Sequence, residues 1–170
     1  WRWKPVARRP PPARKNKPEG GAQEGGGIPL LRRARMVALQ ALYEIDAAGH
    51  PPGEVLSTRF QAEPLPAEAR AFVQEVVTGV LAHREEIDRL IQRYAPAWPV
   101  AQMAIIDRNI LRMAIFEFVI ARRTSPAVAI NEAVELGKLF GSESTPRFVN
   151  GVLGSIADEI ESGDGRQSGP

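Results

Sequence analysis

The sequence predicts an all-α domain of about six or seven helices, and three observations predict it. Apolar residues recur at three- and four-residue spacings through most of the chain. No stretch sustains the strict alternation of a strand, and no hairpin dipeptide lies between apolar runs. Ser-Pro and Thr-Pro start signals, with Gly and Pro stops, punctuate the periodic segments. At 170 residues the chain is long enough for one domain with a real core.

Residues 1–27 hold five Pro and five Gly with almost no aliphatics, too little apolar surface to offset ordering entropy, so a disordered arm is predicted. Seven Lys/Arg against two Glu give it a balance of +5. Two readings fit: a solvated linker, or a basic arm that adds sequence-blind attraction to RNA. Arg8-Arg9 has no apolar stretch after it, unlike an export signal, and the prolines preclude an amphipathic presequence. Residues 28–161, the predicted folded domain, carry fourteen Lys/Arg against seventeen Asp/Glu, a balance of −3. Nucleic-acid binding by the folded part must therefore come from a local patch.

Residues 30–48 form the first predicted helix, with Ala34, Val37, Ala38, Ala41, Leu42 and Ile45 as its buried stripe. Arg32, Arg33 and Arg35 sit at its N-terminal end, where the helix dipole favours acids. Anion binding accounts for that placement; chance in an arginine-rich chain is the alternative. A turn at His50–Gly53 precedes at most a short helix over 54–60. Residues 67–94 read as a long helical region, with a bend or break suggested by Gly79 and by the polar stretch His83–Glu86. Its acids Glu85, Glu86 and Asp88 look like a solvated face. Residues 101–121 are apolar nearly all round and predict a central helix packed on several sides. Arg112 and Glu117 within it need charged partners, whereas Asp107 and Arg108 near its start can reach the surface.

Residues 125–156 read as two helices joined by a short polar loop. Ser125-Pro126 is an N-cap with proline at the first helical position. Val128, Ile130, Val134, Leu136 and Leu139 supply apolar positions, and Gly141 is the expected left-handed stop. Thr145-Pro146 repeats the start signal, followed by Phe148, Val149, Val152, Leu153 and Ile156. Phe140 and Phe148 flank the loop and Arg147 lies in the next first turn. Free N–H groups at a helix start suit a phosphate, and aromatics beside them can stack unpaired bases. The opposing reading is ordinary capping beside core phenylalanines, with Glu143 repelling phosphate. Residues 162–170 are predicted to be a flexible tail.

Catalytic parts are missing from this reading. There is no cysteine, and the two histidines stand 33 positions apart. No P-loop, strand-borne GxGxxG, activated nucleophile or metal-ligand spacing is found, so a non-enzyme without cofactor or metal is expected. No run reaches the ~18–20 apolar residues of a membrane span, and a cytoplasmic protein is expected.

Three linked motifs carry a family resemblance. VAINEAVELGKLFG with FVNGVL, the run Asp107–Ala114 with Glu117, and Arg32-Arg33-Ala34-Arg35 leading to Ala41-Leu42-Tyr43 together resemble the NusB family of bacterial transcription antitermination factors. The match covers roughly residues 31–160. It implies two small helical bundles packed together with the central helix shared. It also implies binding to boxA-type single-stranded RNA together with ribosomal protein NusE, within the RNA polymerase antitermination complex. Transferred residue by residue, the RNA surface would include Arg32, Arg33, Arg35, Phe140, Arg147 and Phe148, and the NusE-facing surface Tyr43 and Asp107. Here the loop reads Ser144-Thr145-Pro146, where relatives often carry an acid at the first position and no proline. Two alternatives stay open: an RNA-targeting fragment of a ribosomal RNA cytosine methyltransferase, and a purely protein-binding helical adaptor. A homodimer is also left open.

Overall fold

The periodic runs fold as seven α-helices in a computed structural model that describes residues 28–164; the expectations for residues 1–27 and for the tail beyond 164 lie outside it. The helices are α1 (Leu30–Ala48), α2 (Pro52–Ala62), α3 (Ala67–Ala82), α4 (Arg84–Tyr94), α5 (Ile105–Ile115), α6 (Pro126–Phe140) and α7 (Thr145–Asp164). No strand occurs among the described residues. The first three helices pack as one bundle and α4, α6 and α7 as another, with α5 against members of both. This is the two-bundle, shared-helix architecture expected. Leu39, Leu42, Ile110, Leu111, Ile115 and Leu153 are among the large side chains buried in the joint core.

Local chemistry explains most boundaries. Ser125 Oγ accepts the N–H of Val128 at 3.3 Å and Pro126 follows it, so α6 starts as expected. His83 is the break between α3 and α4, with φ −111° and ψ 16°, and its ring nitrogen lies 2.9 Å from the Gly79 carbonyl. Gly79 itself continues the helix. Glycine is needed there because the Phe116 ring presses on α3, where an added Cβ would lie 2.2 Å from ring carbons.

The central helix departs from expectation in form. A separate 3₁₀ turn at Val100–Gln102 precedes it, Met103 and Ala104 are extended, and the helix itself runs as α5 from Ile105 and continues through Phe116–Ile120 as a π-helical turn. The π turn has Phe116, Glu117 and Phe118 all buried, as are residues 109–115 before them. It closes with Ala121 N–H on the Phe116 carbonyl at 2.8 Å, Arg123 N–H on the Glu117 carbonyl at 3.1 Å, and Arg122 at φ 52°.

Two readings of α6 are corrected. Its buried stripe is Ala129, Ala133, Leu136 and Gly137, of which Gly137 meets Thr145 and Pro146 of α7, while Val128 and Leu139 are about half exposed. Gly141 is not a left-handed stop: its φ of −90° and ψ of −174° are extended. What requires glycine there is Thr145, whose Oγ1 would lie 2.4 Å from an added Cβ.

Candidate nucleic-acid interface

The three N-terminal arginines of α1 differ in what holds them. Arg32 grips Glu132 of α6 through Nε and Nη2 at 3.0 and 2.9 Å, and remains partly exposed. That pairing pulls the Glu132 carboxyl below its ordinary pKa, against the opposing effect of partial burial. Arg33 is partly exposed and only loosely faces Glu63, at 3.8 Å. Arg35 turns inward. Its side chain is 7% exposed, and Nε and Nη2 bind Glu117 of the π turn at 2.7–3.2 Å. The guanidinium also lies 5.1 Å from the Phe72 ring centroid. Thr124 Oγ1 donates to the same carboxylate at 3.1 Å. The expectation that Arg35 faces an RNA surface is therefore corrected: its buried guanidinium spends Nε and Nη2 on Glu117 in the core. Glu117 has found the partner its burial required.

The loop between α6 and α7 presents a different set. Arg147 is exposed, with no carboxylate partner among the described residues, while Phe140 and Phe148 are half-buried against the core. Each phenylalanine is thus partly packed and partly presented, and neither opposing reading holds alone. Exposed Glu143 lies in the same loop. Glu132, which holds Arg32, precedes Phe140 by eight residues on α6, about 12 Å along the axis. Arg32, held at Glu132, and Phe140 thus border α6 roughly two turns apart.

Tyr43 lies further down α1. It lines a cavity of about 690 Å³ with Leu39, Gln40, Glu44, His50, Arg59 and Ile106. Asp107, one residue beyond Ile106, is half-buried and accepts a hydrogen bond from Thr145 Oγ1 at 2.8 Å. Burial raises its pKa above the ordinary value, and the Thr145 hydrogen bond works the other way.

Beside Asp107, the expectation that Arg108 reaches the surface is corrected. Its guanidinium binds Asp46 of α1 at 2.7 Å through both Nε and Nη2, and Nη1 donates to the Ala101 carbonyl at 3.1 Å. Asn109 Nδ2 donates to Asp46 at 2.9 Å. Arg112, buried as expected, bridges Asp46 and Asp88 at 2.8–3.0 Å. Asp88 is accordingly part of a buried network and not of a solvated face. Burial opposes the charge of Asp46, but the hydrogen bonds from Arg108 and Asn109 and the nearby guanidinium charges outweigh it. Its pKa is lowered to about 2. Asp46 was missed in the sequence, although it follows Leu42 by four residues at the end of the buried stripe, where an acid needs a cation.

The NusB family model matches residues 32–158, three quarters of the chain and every element that carries these groups. The chain belongs to the NusB family. The transcription antitermination protein NusB of Roseiflexus castenholzii is 46% identical over 129 residues, covering 75% of this chain and 91% of the relative. The one of Dehalococcoides mccartyi is 46% identical over 129 residues, covering 76% and 90%. Among solved structures, T. maritima NusB superposes with a TM-score of 0.71 at 30% identity, over 76% of this chain and 91% of that one. A chain from the antitermination factors NusB and NusE in complex with dsRNA gives a TM-score of 0.70 at 27% identity, over 75% and 96%. Among the described residues of this NusB-family chain, no cluster of His, Asp or Glu could hold a metal, and no helix is long and apolar enough to cross a membrane.

Proposed function

We propose that this protein is a non-catalytic antitermination factor that binds boxA-type single-stranded RNA together with ribosomal protein NusE and so joins the RNA polymerase antitermination complex. The observation that carries the reading is the exposed Arg147 between two half-presented phenylalanines, in a chain of the NusB family whose fold resembles that of a NusB–NusE–dsRNA assembly. In this reading Arg32, Arg33 and Arg147 meet phosphates, and Phe140 and Phe148 stack bases. Arg35 acts from behind, by fixing α1 to the π turn. NusE takes the other end of α1, where Tyr43 and the cavity beside it lie next to the start of α5. The reaction-free inventory of the site fits a binding protein, and a cytoplasmic role follows from the proposed partners.

The test is titration of the full chain with boxA-type RNA, a scrambled RNA and a duplex, each at two salt concentrations and with or without NusE. Preference for single-stranded boxA that survives higher salt is the expected result, with a further gain when NusE is present. Equal affinity for all three RNAs, falling together with salt, would reduce the site to sequence-blind phosphate attraction.

A further inference from the structure

Three helices converge on Thr145. It opens α7 beside an exposed loop, yet it is fully buried. Its Oγ1 donates to Asp107 Oδ1 at 2.8 Å, accepts the Ser142 N–H at 3.0 Å, and lies 3.2 Å from Ser142 Oγ. Ser142 Oγ in turn lies 3.1 Å from Ser144 Oγ. Gly137 and Gly141 make room for this residue: an added Cβ would come within 3.1 Å of Thr145 Cγ2 at the first and 2.4 Å of Oγ1 at the second. A hydroxyl has one proton to give. Here it goes to a carboxylate, which makes the bond of the charge-assisted, stronger kind. Donor direction, methyl packing and the accepted backbone N–H together leave Thr145 one orientation. Arg147 and Phe148 follow it by two and three residues within the same first turn.

The resemblance gave Asp107 an outward role toward a protein partner. Its geometry gives it an inward one as well. We propose that Asp107 is a positioning residue for RNA binding: its carboxylate holds Thr145, and through Thr145 the loop 141–148 that presents Arg147 and Phe148. This rests on the reading of that loop as the RNA site. It predicts that changes at Asp107 alter RNA affinity with no protein partner present, which a pure partner contact would not do.

The experiment titrates boxA-type RNA into the full chain alone, well below the melting midpoint of each variant. Asp107→Ala and Thr145→Val should each weaken binding about five- to tenfold, and the double variant no more than either single. Asp107→Asn keeps an acceptor oxygen toward Thr145 and should stay within about twofold of the parent. Hydrogen exchange at the Ser142 amide should quicken in Asp107→Ala and not in Asp107→Asn, a local change that general destabilisation would not confine there. Arg147→Ala is the control and should lose affinity. Full affinity in Asp107→Ala alongside a loss in Arg147→Ala would overturn the positioning role alone. So would additive losses in the double variant, or Asp107→Asn failing as badly as Asp107→Ala. An unaffected Arg147→Ala would instead overturn the RNA reading of the loop, and the positioning role with it.

Discussion

Arg32 and Arg35 lie three residues apart, about 60° short of a full turn of α1, and that decides whether an arginine is a ligand contact or part of the core. Arg35 precedes Leu39 by four residues and Leu42 by seven, so its side chain shares their buried face. Breaking its pair strands Glu117, which is 2% exposed. Arg35→Ala should therefore cost about 3–5 kcal/mol, seen as a fall in the denaturant midpoint; a loss under about 1 kcal/mol would show the pair to be dispensable. Arg32 carries the opposite expectation. Glu132 competes with any phosphate for it, so Glu132→Gln should tighten RNA binding by up to about fivefold, the range of a partly exposed ion pair; weaker binding would contradict a phosphate role for Arg32. The sequence marked all three arginines alike because their position against the helix dipole was the signal. Only the phase of the stripe separates Arg35, and Glu117, already read as an acid in need of a partner, was the other half of the clue.

Helix existence and order were legible because each apolar run is long and well punctuated, from Leu30–Ala48 to the Ser125 and Thr145 starts. The form of individual elements was less so. Gly79 read as a bend because glycine weakens helices, but the cause of its presence is the Phe116 ring, 37 residues away in sequence. By helix propensity alone Gly79→Ala would gain about 1 kcal/mol. The clash predicts instead a loss of about 1–3 kcal/mol, as for overpacked cores, and a gain in melting temperature would contradict the packing account. The π turn after Ile115 had no sequence signal, because an apolar run with no polar face has no phase for a wider turn to disturb. On α6 the larger residues Val128 and Leu139 drew attention, yet Ala129, Ala133, Leu136 and Gly137 are what the fold buries, and Gly137 is where α7 comes close. Thr145 was read as a helix start, which it is; that it also bonds Asp107 depends on how α5 and α7 meet.

For the molecule as a whole, the Asp46–Arg108–Asn109–Arg112–Asp88 network ties α1, α4 and α5 together, and this fixes an acid response. Asp46 has a folded pKa of about 2 against an ordinary 3.8, so below about pH 4 the unfolded chain binds the proton that the folded chain refuses. Its contribution, on the order of 2 kcal/mol, is complete above about pH 5 and is lost as pH falls toward 2. Asp107 acts with the opposite sign, since a raised folded pKa means that its protonation favours the folded state. Denaturant midpoints of the parent and Asp46→Asn, measured from pH 6 to pH 2, should converge at the acid end; a constant gap would remove Asp46 as the titrating group. The network fixes the C-terminal end of α1 to α4 and α5, while Arg32–Glu132 ties its N-terminal end to α6; RNA, in the proposed reading, binds at the α6–α7 loop. The most direct measurement is the boxA affinity of Arg147→Ala beside its melting curve. Arg147 is exposed at a helix start, so its loss should leave the melting midpoint unchanged while weakening RNA binding by about 1 kcal/mol or more, roughly fivefold or greater, as for a lost charged contact. An intact boxA affinity in that variant would contradict the account.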